Sequence, residues 1–168
     1  MEKIGLIYSY NTAKTINVAK EFKELYGNSA VEEVNAEDIN GEKFTSYRNL
    51  VLGVPTWFDG ELPNYWDEFV PELETLDLKG KKIALFGNGD QVGYPENFVD
   101  AIGVLAKILE ARGAEIVGYT STEGYSFEGS RAVKNGKFQG LAIDFENQSE
   151  LNTKRIKGWV NDLKKEFV

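Results

Sequence analysis

Four continuously apolar runs recur along the chain, Ile4 to Tyr8, Leu50 to Val54, Ile83 to Phe86 and Ile116 to Tyr119, with helical apolar stripes between and after them. Runs of this length without polar alternation belong to strands buried on both faces. The stripes are Val18, Ala19, Phe22, Leu25 and Tyr26; Trp66, Phe69, Val70 and Leu73; Phe98, Ala101, Ile102, Leu105, Ile108 and Leu109; and Ile156, Trp159, Val160, Leu163 and Phe167. Each follows the three- and four-residue spacing of a helix with one buried side. Strands buried on both faces, joined by right-handed helical crossovers, predict an α/β fold: a doubly wound parallel sheet with helices on both faces. A weaker and more polar strand, Ala30 to Val34, fits an edge. Gly27 and Asn28 end the first helix, Pro63 opens the second, Pro95 precedes the third and Gly113 closes it.

A chain of 168 residues with 42% hydrophobic residues supports one substantial core, so one domain is expected. No apolar run reaches membrane-spanning length, and the charged Glu2 and Lys3 stand where a secretory signal would begin, which points to a cytoplasmic protein. With no cysteine and no histidine there is no thiolate or imidazole for zinc, an iron–sulfur cluster or haem, and no Ser/His/Asp or Cys/His unit. Redox chemistry, if present, belongs to an organic cofactor. A formal net charge of −8 argues against nucleic acid and anionic membranes as partners and favours a basic protein surface.

One segment leaves the alternating pattern. From Thr120 to Phe138 the chain is rich in glycine, serine and charge, carries an Asn135-Gly136 hairpin signal, and is followed by a strand-like run from Gln139 to Ile143. It is read as an insertion into the last strand, either a plain surface hairpin or an element that docks a partner.

In an open parallel sheet, ligands bind beyond the carboxyl ends of the strands, where strand order reverses. Three unusual loops sit there. The first, Ser9, Tyr10, Asn11, Thr12, Ala13, Lys14 and Thr15, joins a buried strand to an amphipathic helix and offers side-chain donors beside consecutive backbone N–H groups. That order suits an anion, but the loop has neither the lysine-terminated glycine spacing of a nucleotide triphosphatase nor GxGxxG. A monophosphate held mainly by neutral donors, or an ordinary capped helix, remains. The second loop (Pro55 to Leu62, PTWFDGEL) and the third (Gly87 to Asn97, GNGDQVGYPEN) each carry a large aromatic, Trp57 and Tyr94. Two aromatics on converging loops can sandwich a flat ring, while loop backbone near Asn88, Gly89 and Asp90 meets its polar edge.

These stretches, together with GELP after Trp57, STEGYSFE at Ser121 to Glu128, NGKFQGLAID at Asn135 to Asp144 and ENQS at Glu146 to Ser149, resemble the long-chain flavodoxins over nearly the whole sequence. The resemblance implies a flavodoxin-like five-stranded parallel sheet of order 2-1-3-4-5, with the irregular segment at about 120–138 as the long-chain insertion. It also implies one noncovalently bound FMN and a low-potential one-electron carrier without a small-molecule substrate. Ser9 to Thr15 would hold the phosphate, Trp57 and Tyr94 would flank the ring, and Asn88 to Asp90 would meet its pyrimidine edge. Pro55, Thr56, Phe58 and Gly60 complete the second loop's share, with Asn97 and Glu146 nearby. No metal ligands are implied. The expected partners are basic-surfaced redox proteins, a reductase donor and an electron acceptor, meeting a monomer in transient complexes.

Asp59, Glu61, Asp67, Glu68 and Glu96 lie near this site in sequence. A carboxylate about 10 Å from the ring, at an effective dielectric of about 20, opposes an added negative charge by roughly 1.7 kcal/mol, or roughly 70 mV for one electron. The family's second loop turns a peptide carbonyl toward the flavin on one-electron reduction, often at Gly or Asn. Phe58 in that place makes a positive-φ state costly by roughly 1–2 kcal/mol, so Phe58→Gly is expected to favour the one-electron-reduced flavin. The first loop departs from the family, with Tyr10 where Ser or Thr is usual and Ala13 where glycine is usual. Alanine costs roughly 1 kcal/mol if φ is positive there and nothing if the residue is helical. The competing readings are an NAD(P)H:quinone reductase of the same fold and a cofactor-free interaction module.

Overall fold

The apolar runs form the parallel strands of a twisted sheet, with the amphipathic stretches folded across both of its faces. The computed structural model describes residues 2–167. In chain order the elements are β1 (Ile4–Tyr8), α1 (Ala13–Tyr26), β2 (Val31–Asn35), α2 (Gly41–Thr45), β3 (Asn49–Gly53), α3 (Asn64–Leu73), β4 (Lys82–Asn88), α4 (Asp100–Ala111) and β5 (Glu115–Val117). Then come the short strands β6 (Thr120–Ser121), β7 (Val133–Lys134) and β8 (Lys137–Phe138), followed by β9 (Leu141–Ile143), α5 (Phe145–Gln148) and α6 (Asn152–Glu166). Among the described residues, no helix is long and apolar enough to cross a membrane.

The sheet runs β2-β1-β3-β4-β5, all parallel, the order 2-1-3-4-5 expected from the sequence. β2, the polar strand, lies at the edge. Its Glu33 accepts from Lys23 at 3.0 Å and from the Tyr8 hydroxyl.

The last strand is split in two along β4. Lys82 to Ala84 pair with β5 and Phe86 to Asn88 pair with β9, so the chain leaves the sheet at 118 and returns at 141. A strand expected to reach Tyr119 stops at Val117 because Gly118 turns the backbone to φ +78°; a Cβ there would come within 2.7 Å of Trp159 Nε1. That indole N–H donates to Gly118 O at 2.8 Å, tying the exit point to α6. Outside the sheet, β6, β8 and β7 pair antiparallel, and β7 turns into β8 through Asn135 and Gly136 at φ +54° and +78°. Positive φ at both central residues is what an Asn-Gly hairpin turn requires.

Neighbouring strand residues point to opposite faces, giving two cores. Ile7, Leu50, Leu52, Ile83 and Leu85 face Trp66 and Phe69 of α3 and Ile102, Leu105 and Leu109 of α4. Leu6, Tyr8, Val51, Ala84 and Phe86 face Val18 and Phe22 of α1 and Ile156, Trp159 and Leu163 of α6. Adjacency of β1, β3 and β4 sets the loops that follow them side by side at the carboxyl edge of the sheet.

Candidate cofactor site

The loop after β1 is built around Ser9, which is 1% exposed. Its Oγ accepts from the backbone N–H of Asn11 at 3.2 Å and donates to Glu37 Oε2 at 2.9 Å, and Asn11 Nδ2 donates to the same oxygen at 2.6 Å. Thr12 Oγ1 donates to Ser9 O at 3.0 Å, closing the turn ahead of α1. Thr15, buried on the first turn of α1, donates to Asn88 Oδ1 at 3.3 Å and so joins the first loop to the end of β4. Lys14, the loop's one cation, pairs with Glu146. The set is mostly neutral donors at the start of a helix, the chemistry of a phosphate site.

Beside it, Thr56, Trp57, Phe58, Gly89, Asp90, Tyr94, Asn97 and Val99 line a cavity of about 310 Å³. Seven of these eight are residues expected from the sequence. Trp57 is half-buried, its ring meeting that of Tyr65 edge-on at 5.9 Å between centroids. Tyr94 is 55% exposed. The second loop closes as a small hairpin, Trp57 and Glu61 exchanging backbone hydrogen bonds at 2.9 and 2.7 Å around Phe58 (φ +51°) and Gly60 (φ +93°). Gly60 has to be glycine twice over, since a Cβ there would also meet Asp100 Oδ2 at 2.5 Å. Pro55 is buried beneath this loop, and the Thr56 hydroxyl accepts from Ala101 N–H at 3.0 Å in the first turn of α4.

Two carboxylates hold the third loop. Asp90 Oδ1 accepts from Val92 N–H at 3.1 Å, Gly93 N–H at 2.8 Å and Asn147 Nδ2 at 2.7 Å. The Gly93 N–H, then the Asn147 amide, keep its carboxyl below the usual range against the opposing effect of burial. Asp144, fully buried, caps α5 through the N–H groups of Glu146 and Asn147 at 3.1 and 3.0 Å. It also accepts from Gln91 N–H and Nε2 at 3.1 and 2.7 Å, locking the loop to the end of β9. The N–H of Gly89 reaches Ile143 O at 2.9 Å.

The family model for flavodoxin matches residues 6–159 of this chain. The chain belongs to the flavodoxin family. A flavodoxin of a Nostoc species is 46% identical over 166 residues, covering 99% of this chain and 98% of that protein. Flavodoxin 1 of Escherichia coli K12 is 40% identical over 97% of this chain and 93% of its own. The crystal structure of Fusobacterium nucleatum flavodoxin bound to flavin mononucleotide is similar at a TM-score of 0.93 and 35% identity, covering 99% of each chain.

Against the flavodoxin pattern, the two departures in the first loop separate. Ala13 opens α1 in helical backbone, so no positive φ burdens it. Tyr10, 44% exposed, turns its ring against Tyr8 at 5.1 Å between centroids, and its N–H donates to Asn35 Oδ1 at 3.3 Å. At Phe58 the costly positive φ is already present in the structure. Glu146 is brought to Lys14, not to the ring cavity. Among the described residues, no cluster of acidic groups could hold a metal ion.

Sequence reasoning missed Glu37, Tyr65, Gln91, Val99 and Asp144. Asp144 had a signal, a helix-capping aspartate directly after an apolar strand. Tyr65 adjoins Trp66 in the apolar stripe of α3 and reads as core, and Glu37 follows a polar edge strand in a turn that carries no motif.

Proposed function

We propose that this chain binds one FMN noncovalently and passes single electrons between redox proteins at low potential, with no small-molecule substrate of its own. The observation that carries the reading is the cavity between Trp57 and Tyr94, lying next to a neutral donor loop in a chain of the flavodoxin family. When bound, FMN supplies the one-electron chemistry that a chain without cysteine or histidine lacks.

Ser9, Asn11, Thr12 and Thr15, with the N–H groups from Asn11 to Lys14, receive the phosphate, while the Tyr10 N–H stays on Asn35. Trp57 and Tyr94 flank the ring, and Asn88, Gly89 and Asp90 offer backbone to its polar edge. Pro55, Thr56, Phe58, Gly60 and Asn97 shape the second and third loops around it. Lys14 and Glu146 form a paired rim at the loop's outer side. The donor set fits a phosphate: the Tyr65 hydroxyl, from α3, is buried without a hydrogen-bond partner and lies next to Thr12.

Asp59, Glu61, Asp67, Glu68 and Glu96 are all exposed and belong to the second and third loops or to the start of α3 that follows the second. Their charge opposes reduction to an anion and steers a basic-surfaced reductase or acceptor toward the cavity's mouth, more weakly as salt rises. The reading takes the chain as one domain with an insertion at about 120–138, acting as a cytoplasmic monomer.

Absorbance of purified protein during stepwise anaerobic reduction tests this. One flavin per chain, reduced in two one-electron stages, is expected. Rapid bleaching by NADPH alone would favour a reductase instead, and colourless protein that takes up no added FMN would overturn the proposal.

A further inference from the structure

Glu37 lies outside the phosphate loop, in the single turn of 3-10 helix at Ala36–Asp38 that follows β2, yet its carboxylate engages two of that loop's donors. Ser9 Oγ reaches Glu37 Oε2 at 2.9 Å and Asn11 Nδ2 reaches it at 2.6 Å. The turn is fixed where it stands. Asn35 Oδ1 accepts from Glu37 N–H at 3.1 Å and from Tyr10 N–H at 3.3 Å, so one amide side chain joins β2's turn to the loop. A negative group therefore occupies two side-chain donors of a loop suited to a negative ligand.

Resting on the FMN reading above, we propose that Glu37 is a built-in competitor for the phosphate, an acidic residue that selectively weakens binding of the phosphorylated flavin and leaves the ring's own affinity alone. Two features give it that role. The Glu37 side chain is exposed and can swing into solvent, releasing Ser9 Oγ and Asn11 Nδ2 to a phosphate oxygen. Even when displaced it remains on a turn tied to the loop through Asn35, so its charge stays close to the phosphate. The buried Tyr65 hydroxyl is the counterpart. It is a neutral O–H buried without a hydrogen-bond partner beside Thr12, and burial first, then the Glu37 charge, push its pKa up. Ring contacts through Trp57 and Tyr94 belong to a separate cavity that Glu37 does not line.

The test uses apoprotein of the wild type, Glu37→Gln and Glu37→Ala, each titrated calorimetrically with FMN, riboflavin and inorganic phosphate. Glutamine keeps a hydrogen-bond acceptor and removes the charge; alanine removes both. Both variants should bind FMN about tenfold more tightly, as expected for removing a like charge near the phosphate, and should gain by a similar factor for inorganic phosphate. Riboflavin affinity should stay within about twofold, because it lacks the group Glu37 opposes. FMN and riboflavin tightening together, or FMN affinity unchanged or lowered in both variants, would overturn the proposal. If no protein binds flavin but phosphate tightens in both variants, the FMN reading falls while the role of Glu37 stands. If phosphate is also indifferent to the substitutions, both fall.

Discussion

The first and third loops meet at one site but are built on opposite plans. In the third, Asp90 from within the loop and Asp144 from the end of β9, the latter fully buried, satisfy the loop's N–H groups and the Gln91 amide, so the loop keeps its shape whatever stands before it. In the first, Ser9 and Asn11 give their side-chain protons to Glu37, an exposed carboxylate borrowed from another element. A ligand can take those protons only by displacing it. The difference separates a rigid wall, which a ring meets ready-made, from an exchangeable donor set. Substitutions in the wall should change stability and ring binding together, and substitutions in the donor set should change phosphate binding alone.

The largest expected effect comes from removing the carboxylate that supports the wall. Asp144→Ala would leave the buried Gln91 N–H and two N–H groups of α5 without an acceptor, and would strip Gln91 Nε2 of one of its two. With each orphaned buried donor costing about 1–3 kcal/mol, urea unfolding should register a loss of about 3 kcal/mol or more. Riboflavin and FMN should weaken in parallel. A variant that lost FMN affinity but kept riboflavin affinity would break the division between the two loops.

Phe58 tests the second loop, which stands between these plans. It holds φ +51° with a side chain 75% exposed, so little burial offsets its strain. Phe58→Gly should raise the unfolding free energy by about 1 kcal/mol, the relief expected where a residue with a Cβ occupies left-handed backbone. Because the strain exists before any reduction, the gain should be present in apoprotein, seen as a higher melting temperature without FMN. A shift of the first reduction potential toward the one-electron-reduced flavin, the expectation from sequence, would require in addition that the backbone here change conformation with the flavin's charge.

That contrast marks what the chain spells out in its own residues. Burial on both faces writes itself into Ile4 to Tyr8 and Leu50 to Val54 as unbroken apolar runs, and the aromatics of two loops stand out because no core explains them. Glu37 is invisible by the same logic. Its partners lie 26 and 28 residues away, and nothing local distinguishes a carboxylate reaching a loop from one facing water. The split of the last strand was legible as an irregular stretch, whereas its exit at Gly118 depends on how closely the Trp159 ring of α6 approaches the backbone. The sign of φ at Phe58 and Ala13 likewise comes from closure of the Trp57–Glu61 hairpin and entry into α1, which neither residue announces by its own type.

Asp90 gives a smaller, pH-dependent handle on the wall. Its folded carboxyl is held below the ordinary range by the Gly93 N–H and the Asn147 amide. The stabilisation is therefore complete above the unfolded value of about 4 and is lost as pH falls through the depressed folded value. Asp90→Ala should cost about 1 kcal/mol at pH 7, and the gap between wild type and variant should narrow as urea titrations are taken below about pH 4. A gap constant with pH would mean that Asp90 acts through packing alone.

The smallest effect is expected at Ala13, where the family's usual glycine makes the outcome informative. Residue 13 is the first of α1, with Thr12 before it extended at φ −117° and ψ 104°. Glycine there gives up helix propensity and adds unfolded-state freedom, so Ala13→Gly should lower stability by about 0.5 kcal/mol, somewhat less than in a helix interior. FMN and inorganic phosphate should bind no more tightly, because the alanine is not strained. Tighter phosphate binding in this variant would show that the loop reaches the anion through a positive φ at residue 13. The helix would then have to unwind by one residue when Glu37 is displaced, and the two sources of weak phosphate affinity, a charge on Glu37 and a Cβ on Ala13, could be told apart by whether their substitutions add.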